Sequence, residues 1–458
     1  MDRIRSADQE SVIRYWDELD EESQIRFEKQ LLKVDWNWVQ SLNVSGVKSV
    51  DWDSLSARAE PAPAIELERE HSGISRAEAT REGERLLRAG KVAQILVAGG
   101  QGTRLGFDKP KGLYPIGPLS QKTLLQLLIE KVIGASDFYE TAIPVLIMTS
   151  PATHDETIEY LTANKRFGLA EDQCVVFCQG TMPAVDSETG KLLLESKGRL
   201  FASPNGHGGM VQAFSDHGCL ELLKSKGIES IFYGQIDNPL LQVCDALTLG
   251  YHHQLKSEMT SQVVRKIAAT QKVGNVVSLD GKIQIIEYSD LPEAYAKQTD
   301  AEGKLKLWAG SIAVHVFETK FLERMIGQPE SLPYHQASKK VPFVDDLGNA
   351  VEPGEPNAIK FEKFIFDLLP FAQNALAVEV LPRDGFAAVK NAAPAETETP
   401  ETTQSAMMDL YRRWLDGIGV HVEPDVQVEI SPLFAFNEKH LGRKIIETNT
   451  VIEPTYFQ

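Results

Sequence analysis

Cysteine and long apolar runs are both scarce in this 458-residue sequence. Four cysteines in a chain of this size are too few for a disulfide framework, so we expect reduced thiols and a cytoplasmic location. Two of them, Cys174 and Cys178, lie in the apolar run CVVFC, which favours buried structural cysteines over half of a metal site. No apolar run approaches the roughly 20 residues that cross a bilayer, and the first residues lack the apolar core of a secretory signal. We therefore expect no membrane partner.

Positive charge is also in deficit, because 47 Lys and Arg residues face 65 Asp and Glu residues, for a formal net charge of −18. This balance argues against a nucleic-acid partner and against an anionic-membrane surface. One segment opposes the trend. Residues 94–123 carry a single acid against four cations, which are Arg104, Lys109, Lys111 and Lys122. A cationic segment in an acidic chain indicates a specific anionic ligand.

The residue pattern divides the chain into three regions. Residues 1–91 carry apolar residues at helical spacing and predict a mainly helical N-terminal domain. Residues 92–391 alternate apolar strand-like runs with amphipathic helical patterns, which predicts one large α/β domain. Residues 392–404, AAPAETETPETTQ, are poor in apolar side chains and predict a mobile linker or loop. With the alternating runs that follow, residues 392–458 predict a linker and a small β-rich C-terminal domain.

The central part of the chain predicts a doubly covered sheet. Candidate strands are VAQILVA, IPVLIMT, CVVFC, SIFYGQI, SQVVRKI, IQIIEY, SIAVHVF and ALAVEVL. Candidate helices include Lys122–Ala135, Thr153–Ala163 and Gly209–Lys224, and a capping box of Ser75 and Glu78 opens an earlier helix. Several strands are apolar throughout, as expected where helices cover both faces of a sheet. The predicted fold class is α/β with a mostly parallel sheet.

The stretch LVAGGQGTRLGFDKPKGLYPIG, residues 96–117, places four glycines within eight positions directly after a predicted strand. It is not a Walker A loop, since Gly106 is followed by Phe and Asp. Its G-x-G-x-x-x-G spacing is one residue too long for the dinucleotide fingerprint, and no acid follows about 20 positions later. The remaining interpretation is a loop whose N–H groups wrap a nucleotide, with Arg104 and Lys111 at its phosphates. The alternative is a tight turn with incidental cations.

The same stretch resembles the signature loop of the UDP-sugar pyrophosphorylases, and most closely that of the UDP-N-acetylhexosamine (UDP-N-acetylglucosamine) pyrophosphorylases. Further motifs follow in the family's order and at compatible spacing, and they cover nearly the whole chain from Val92. They are LIMTS (146–150), FCQGTMPA (177–184), SPNGHGG (203–209), IDNPL (236–240), IIEYSDL (285–291), WAGSIAVHVF (308–317), VPFVD (341–345), IKFEKFIFD (359–367), VKN (389–391) and EISPL (429–433).

The resemblance implies a nucleotide-binding sheet of glycosyltransferase-A type, flanked by an N-terminal helical domain and a small β-rich C-terminal domain. It also implies a reaction in which UTP and a hexosamine 1-phosphate give a UDP-sugar and pyrophosphate. Such an in-line displacement needs positioning and charge stabilisation, with no covalent nucleophile. The lack of an obvious Ser-His-Asp or Cys-His arrangement in the sequence is compatible with that chemistry.

The resemblance assigns residues to the nucleotide. The loop residues placed against UTP are Ala98, Gly99, Gly100 and Gly102, with Arg104 and Lys111 on the leaving phosphates. Gln179 is expected to read the uracil edge, because an amide both donates and accepts, and Gly206 and its neighbours to close over the base. Asp237 follows the strand SIFYGQI, where a carboxylate suits Mg²⁺, the expected cofactor. Without the resemblance, the sequence Asp-Asn-Pro at this point is simply a turn.

A second set of residues is assigned to the sugar phosphate. The matched sugar positions are Gly274, Glu287, Tyr288, Phe364 and Phe366, the last two lining an N-acetyl pocket. On pattern alone, the two phenylalanines are equally compatible with core aromatics. Lys360 and Lys390 match family lysines near phosphate, and Lys390 is expected to take part in catalysis. An isolated lysine is otherwise a solvated surface charge.

Two positions depart from the N-acetylhexosamine pattern. The family's AGN motif is AGS here, so Ser311 stands where an asparagine would contact the sugar. The family's GNGG is GHGG, as in the UDP-glucose relatives, and we expect His207 to contact the ligand, the alternative being that it satisfies the loop backbone. The predicted reaction is therefore the synthesis of UDP-N-acetylglucosamine, with a UDP-glucose or broad-specificity pyrophosphorylase as the alternative. An inactive nucleotide-sugar sensor is the alternative of a different class. The sequence carries no signal for oligomeric state.

Overall fold

The chain forms two compact units. The computed structural model describes residues 2–42, 50–68, 73–328, 332–445 and 450–458. The insert unit comprises Met1–Asp51, Gln179–Met210 and Leu332–Ile365. The sheet unit comprises Trp52–Cys178, Val211–Ser331 and Phe366–Gln458. This division differs from the expected boundaries after residues 91 and 391.

Helices and strands alternate through most of the chain. The helices are α1 (Asp2–Ser6), α2 (Glu21–Lys33), α3 (Trp36–Ser41), α4 (Trp52–Ala57), α5 (Arg76–Arg88), α6 (Leu124–Tyr139), α7 (His154–Ala163), α8 (Met210–Asp216), α9 (Cys219–Ser225), α10 (Ala246–Gln254), α11 (Glu293–Ala296), α12 (Thr319–Ile326), α13 (Pro382–Gly385), α14 (Pro400–Gly417) and α15 (Glu438–Lys444). Across the described ranges, every helix is too short or too polar to cross a bilayer.

The strands range from two to ten residues. They are β1 (Glu60–Pro61), β2 (Ala64–Ile65), β3 (Val92–Val97), β4 (Val145–Thr149), β5 (Cys174–Cys178), β6 (Thr181–Pro183), β7 (Val185–Asp186), β8 (Leu194–Ser196), β9 (Arg199–Leu200), β10 (Ala202–Pro204), β11 (Ser230–Gln235), β12 (Met259–Arg265), β13 (Gly274–Leu279), β14 (Lys282–Ile286), β15 (Ala309–Glu318), β16 (His335–Lys339), β17 (Phe343–Val344), β18 (Ala350–Val351), β19 (Ala358–Glu362), β20 (Ala375–Glu379), β21 (Val428–Ile430) and β22 (Thr455–Phe457).

The main sheet of the sheet unit follows the order β2-β20-β12-β15-β11-β3-β4-β5. Along this path only β15 runs antiparallel to its two neighbours, and the other neighbouring pairs are parallel. All eight predicted strands are confirmed. Every residue of β3 and β4 is buried, because helices such as α5 and α6 pack their apolar side chains into the same core. The mostly parallel sheet is therefore present as expected.

Residues 52–91 belong to the sheet unit, because β1 and β2 join its sheet. β2 pairs in parallel with β20, and β1 pairs with β13. The predicted capping box of Ser75 and Glu78 is present, and it opens α5. One helix prediction needs correction: the pattern from Gly209 to Lys224 forms two helices, α8 and α9. They are separated at Gly218, whose φ of +67° is a left-handed conformation that ends a helix.

The C-terminal prediction also needs correction. Residues 392–404 are not a linker throughout, since α14 begins at Pro400 with a capping box between Thr399 and Thr402. After α14 the described residues contain helix α15 and only one strand pair, β21 with β22, so this region is not β-rich. Part of the predicted run KIIETNTVIEP lies outside the described residues. Buried side chains of α14 and β21 join the core of the main sheet, so this region belongs to the sheet unit.

Glu429 of β21 connects the C-terminal region to the turn that follows the glycine-rich stretch. Its fully buried carboxylate accepts hydrogen bonds from the backbone N–H groups of Leu119 and Ser120, both at 2.7 Å. It also accepts one from the Ser120 hydroxyl, at 2.6 Å. In the same turn, the N–H of Gly117 donates to the carbonyl of Lys122, which closes the turn ahead of α6. Glu429 therefore determines the conformation of this turn.

The insert unit has its own sheet and its own core. Strands β16, β19 and β7 pair in that order, all antiparallel. Trp38 of α3 packs against Phe361 of β19 and against Tyr334, with ring centroids 4.9 and 5.2 Å apart. These contacts anchor β19 and the segment after it, which carries Phe364.

Candidate active site

The glycine-rich stretch and Asp237 leave the main sheet at the same edge. β3 and β11 are parallel neighbours in which Val97 pairs with Gln235, so Ala98 and Asp237 follow their strands side by side. The carboxyl ends of parallel strands are where open α/β sheets bind ligands. The sheet therefore brings the predicted phosphate loop next to the predicted metal ligand.

The phosphate loop, residues 98–111, is built by its own backbone bonds. The N–H of Lys111 donates to the carbonyl of Gly100 at 3.0 Å, and the N–H of Gly102 donates to the carbonyl of Lys109 at 2.9 Å. A Cβ on Gly102 would lie 2.7 Å from Phe107 and 2.9 Å from the Lys109 carbonyl, so Gly102 is required by packing within the loop. The contact expected between Gly102 and UTP is thus not needed to explain its presence.

The start of the phosphate loop is open to a ligand. A Cβ on Gly100 would meet nothing within 4 Å, and among the described residues the N–H groups of Gly99 and Gly100 have no hydrogen-bond acceptor. Two side chains that sequence reasoning missed hold the carbonyls: Ser150 Oγ donates to Gly99 at 2.7 Å and Thr153 Oγ1 to Ala98 at 3.2 Å. Backbone N–H groups that lack an acceptor in an exposed glycine turn are suited to bind an anion, which favours the nucleotide loop over the incidental turn.

Lys111 and Asp237 form a partly buried ion pair. The Lys111 Nζ lies 3.2 Å from Asp237 Oδ2, and the side chains are 7% and 19% exposed. The sequence placed both residues on phosphate chemistry, and the structure brings them into contact. Arg104, on the turn Thr103–Leu105, is exposed.

Asp237 fits a magnesium site of the sparse type. The described residues contain no group of three or more His, Cys, Asp or Glu side chains that could hold a metal by themselves. Mg²⁺ commonly uses one or two carboxylates, with water and substrate phosphates completing its octahedron. A partly exposed carboxylate beside an open phosphate loop matches that donor set, so Asp237 is the residue that would hold the ion.

Lys390 lies at the same edge of the sheet as Asp237. The N–H of Val389 donates to the carbonyl of Asp237 at 2.8 Å. Lys390 is the next residue after Val389, so its backbone lies close to Asp237. The Lys390 Nζ donates to Glu398 at 2.9 Å. The predicted catalytic lysine is thus near the predicted metal ligand, and a carboxylate holds its ammonium group.

Lys131 is a buried lysine that the sequence interpretation missed. It lies on α6, and its Nζ donates to the carbonyls of Pro239 at 2.6 Å and Leu241 at 3.0 Å, in the turn directly after Asp237. It lines a cavity of about 530 Å³, whose other ionisable groups include Glu84, Asp245 and Asp384. Burial lowers the pKa of Lys131 to about 7. The sequence feature that could have identified Lys131 is its position as the lone lysine in the apolar run LLQLLIEKVIGA.

The low pKa of Lys131 predicts how stability depends on pH. Between about pH 7 and the ordinary lysine pKa of 10.5, the unfolded chain holds a proton that the folded chain does not. Stability of the wild-type protein therefore rises with pH in this window through this group. Relative to wild type, Lys131→Met should lose stability by roughly 1 kcal/mol for each pH unit from 7.5 to 9.5, in urea unfolding. The buried control Leu128→Met has no titrating group, so its difference from wild type should stay constant, and a constant difference for Lys131→Met would contradict the assignment.

Three of the residues matched to the sugar meet in the sheet unit. Gly274 pairs with Ser311 between β13 and β15, and a Cβ on Gly274 would lie 3.0 Å from the Glu287 carboxylate. Tyr288, the next residue, is half exposed. The sequence missed Lys266, whose Nζ donates to Asn275, the residue after Gly274. Burial lowers the pKa of Lys266 to about 8.

Ser311 is engaged by its own strand. Its Oγ accepts a hydrogen bond from the N–H of Ala313 at 3.3 Å, and Ala313 has a φ of +54° where β15 is irregular against β12. The hydroxyl thus stabilises a strained position, and it is shorter than the asparagine expected there. It lacks the amide that would both donate to and accept from a sugar substituent.

The remaining predicted residues lie mostly in the insert unit. Gln179 is buried there, next to Gly180, whose carbonyl accepts from Asn205. Gly206 has a φ of +80°, and a Cβ on it would lie 2.4 Å from the carbonyl of Lys363, so only glycine fits. The loop at Gly206 is thereby packed directly on the segment after β19.

His207 satisfies the backbone of that segment. Its Nδ1 accepts a hydrogen bond from the N–H of Ile365 at 3.1 Å, so the ring proton resides on Nε2. Burial, with a smaller effect from His335, lowers the pKa of His207 to about 4 and keeps the ring neutral. The ring stacks on Phe364, with centroids 5.3 Å apart, and His335 lies 4.2 Å from the same phenylalanine. His207 thus bonds the backbone of the segment after β19, not that of its own loop, and a contact with ligand stays a prediction.

Two further predictions have separate outcomes. Lys360 places its Nζ 4.8 Å from the ring centroid of Phe201, and burial lowers the pKa of this lysine. Phe366 is buried in the sheet unit, whereas Phe364 lies in the insert unit. Phe366 is thus a core aromatic, the alternative that the pattern left open, and its contact with an N-acetyl group stays a prediction.

The buried thiols agree with the structural interpretation of the cysteines. Cys174, Cys219 and Cys244 are buried, and Cys178 is partly buried. Burial raises the pKa of Cys174 to about 11 and that of Cys219 to about 12, which disfavours the reactive thiolate.

Comparison with known proteins identifies the family. Residues 38–412 match the UTP–glucose-1-phosphate uridylyltransferase family. The UDP-N-acetylhexosamine pyrophosphorylase-like protein 1 of Xenopus tropicalis is 34% identical, over 95% of this chain and 91% of the relative. The UDP-N-acetylglucosamine pyrophosphorylase of Saccharomyces cerevisiae is 36% identical, over 77% of this chain and 76% of the relative. The crystal structure of the Trypanosoma brucei UDP-N-acetylglucosamine pyrophosphorylase with an inhibitor has a TM-score of 0.82 at 26% identity, covering 96% of this chain and 93% of that one. As the motifs predicted, the chain belongs to the UTP–glucose-1-phosphate uridylyltransferase family and is a nucleotidyltransferase.

Proposed function

We propose that this enzyme condenses UTP with N-acetylglucosamine 1-phosphate to give UDP-N-acetylglucosamine and pyrophosphate. The observation that carries the proposal is the open start of the phosphate loop, which is joined to Lys111 of the Lys111–Asp237 pair by the bond from the Lys111 N–H to the Gly100 carbonyl. The choice of sugar follows from relatives that are named UDP-N-acetylhexosamine and UDP-N-acetylglucosamine pyrophosphorylases. We further infer that the sheet is of the glycosyltransferase-A type and that the enzyme acts in the cytoplasm.

The reaction is an in-line displacement at the α-phosphorus of UTP. An oxygen of the sugar 1-phosphate forms a bond to that phosphorus, and the bond to the β-phosphate oxygen breaks, so pyrophosphate leaves with the electron pair. Gly99 and Gly100 would donate their N–H groups to the triphosphate. Lys111 and Arg104 would stabilise the charge that develops on pyrophosphate. Lys390, which follows Val389 at the Asp237 carbonyl, would contact the phosphates.

Asp237 is the proposed ligand of Mg²⁺. When bound, the ion would neutralise phosphate charge and orient the reacting groups. The Lys111 ammonium lies against the same carboxylate, so the chain itself balances the charge of Asp237 before substrates bind. Removal of the ion with a chelator tests this assignment, since pyrophosphate release should stop and return on addition of Mg²⁺.

The residues matched to the sugar also support a second substrate specificity. Glu287 would accept hydrogen bonds from sugar hydroxyls near Gly274 and Ser311. Because Ser311 lacks an amide and its Oγ accepts from Ala313, the pocket has less to distinguish an N-acetyl group. This observation favours, as a second candidate, a UDP-glucose or broad-specificity pyrophosphorylase.

A substrate panel separates the candidates. Wild-type enzyme, UTP and Mg²⁺ are incubated with each sugar 1-phosphate, and pyrophosphate release is measured. We expect N-acetylglucosamine 1-phosphate to have the highest kcat/KM, and preference for glucose 1-phosphate would reject this assignment. Ser311→Asn should raise the preference for the N-acetyl sugar by about 10-fold, since one added amide contact is worth about 1–1.5 kcal/mol. Binding of UDP-sugar with no pyrophosphate release from any sugar would instead indicate the inactive sensor.

A further inference from the structure

The turn at residues 237–241, which we call the Asp237 turn, is held from one side by α6. Lys131 Nζ donates to the carbonyls of Pro239 and Leu241, at 2.6 and 3.0 Å. The Lys131 side chain is buried, and among the described residues it forms no ion pair. A lysine amino group buried without a carboxylate is costly in either protonation state, so a lysine at this position indicates a requirement for its hydrogen-bond donors.

Asn238 holds the Asp237 turn from the other side. Its amide is 2% exposed, and Nδ2 donates to the carbonyl of Gly385 at 2.8 Å while Oδ1 accepts from the N–H of Ala387 at 3.0 Å. Two residues later, the N–H of Val389 donates to the carbonyl of Asp237 itself. The segment from Gly385 to Lys390 is therefore bonded to the Asp237 turn at three points.

From these contacts we propose that Lys131 and Asn238 are positioning residues, which together set where Asp237 and Lys390 stand relative to the phosphate loop. The inference rests on the proposed function, because it assumes that Asp237 holds Mg²⁺ and that Lys390 contacts phosphate. Neither Lys131 nor Asn238 touches substrate. Lys131 restrains the Asp237 turn against α6, and Asn238 connects that turn to the segment that carries Lys390.

The chemistry of each side chain matches its task. An amide is the one side chain of this size that presents a donor and an acceptor in a plane, as needed to join a carbonyl and an N–H of one segment. The two carbonyls at Pro239 and Leu241 need a donor that reaches both, and the amino group of Lys131 carries at least two N–H groups whether or not it is protonated. Loss of either anchor leaves buried backbone groups without partners, which favours movement of the turn.

Two variants test the proposal. In Asn238→Ala and Lys131→Met, kcat should fall about 10- to 100-fold, and the Mg²⁺ concentration for half-maximal activity should rise at least about threefold, as for residues that orient metal ligands. Hydrogen exchange gives a readout that does not depend on activity. In Asn238→Ala, peptides covering 384–391 should exchange faster, because the N–H groups of Ala387 and Val389 lose their restraint. Lys131→Arg keeps donors at the turn and should recover much of the Mg²⁺ response.

Matched controls separate positioning from stability. Asn357 of the insert unit also bonds one backbone N–H and one carbonyl, both of Val341, and Lys439 lines the same cavity as Lys131 but donates to Glu84. Asn357→Ala and Lys439→Met should lower the melting temperature without changing the Mg²⁺ response. If Asn238→Ala does not fold, Asn238→Gln, which displaces the amide by one methylene, carries the same expectation.

Three outcomes decide the matter. Folded variants at Lys131 and Asn238 with wild-type kcat and Mg²⁺ response would overturn the positioning role, as would losses no larger than those of the two controls. A loss of kcat with a raised Mg²⁺ requirement and faster exchange in 384–391 would establish it. The wild-type assay is done before the variants are compared. If the wild-type enzyme releases no pyrophosphate with any sugar 1-phosphate, the proposed function is rejected instead.

Discussion

Replacing Lys111 by alanine should lower kcat by about 10²–10³-fold, the usual cost of removing one group that stabilises charge in the transition state. Negative charge develops on pyrophosphate as it leaves, and the Lys111 ammonium stands 3.2 Å from Asp237, the proposed ligand of Mg²⁺. Affinity for the UDP-sugar product should change by less than about threefold, because that complex lacks the developing charge. Steady-state kinetics in the direction of pyrophosphate release and calorimetric titration with UDP-sugar measure the two quantities.

Lys109→Ala is the matched control, because Lys109 is an exposed cation of the same loop. Its kcat should stay within about twofold of wild type, which would exclude a general effect of loop charge. Since Lys111→Ala also leaves Asp237 without its cation, circular dichroism must show that the variant is folded. Equal losses in kcat and in UDP-sugar affinity would contradict a role on the leaving group and would indicate simple binding.

Replacing Glu429 by alanine should destabilise the protein by about 3–5 kcal/mol, since two partly buried backbone N–H groups and one hydroxyl lose a fully buried charged acceptor. Those donors belong to Leu119 and Ser120, in the turn between the glycine-rich stretch and α6. The KM for UTP should rise as well, because the turn is continuous in sequence with the phosphate loop. Differential scanning calorimetry and UTP saturation curves measure the two effects.

Glu429→Gln distinguishes hydrogen bonding from burial of charge. One glutamine oxygen can accept from both N–H groups, as Oε2 of the glutamate does, while its amide nitrogen donates to the Ser120 hydroxyl. This variant should therefore lie within about 1 kcal/mol of wild type. If alanine were tolerated as well as glutamine, the three hydrogen bonds would not determine the turn.

The strands of the main sheet were predictable because both of their faces are buried. Runs such as the one at β4 are apolar at every position, and no solvent-facing pattern competes with that signal. The prediction of a β-rich C-terminal domain was wrong because VQVEI has a strand pattern that extends beyond the three residues that pair. The Pro and Thr residues taken as signs of disorder include Thr399 and Pro400, which begin α14. Composition could not distinguish a disordered linker from the start of a helix, because the same residue types favour both.

The candidate site was predictable to the extent that its residues lie in local motifs. The glycine spacing and the cations identified the phosphate loop, and the strand before Asp237 placed this residue at the edge of the sheet. Lys131 stood out locally only as a lone lysine in an apolar run, and the contacts of Lys131 and Asn238 could not be inferred, because their partners lie about 110 and 150 positions away in the chain. Ser311 was correctly noted as a departure, but its bond to Ala313 depends on a local irregularity of β15 that the sequence does not reveal.

The acceptor that Glu429 provides to residues 119 and 120 has a consequence for biosynthesis. On the ribosome, the phosphate loop emerges some 300 residues before its distant restraint does. A nascent chain can therefore form the early strands while the turn behind the loop is still unrestrained. Competence to bind UTP should consequently arise only after residue 429 has left the ribosome, and chaperones that bind the chain before then would encounter a sheet whose ligand loop is not yet ordered.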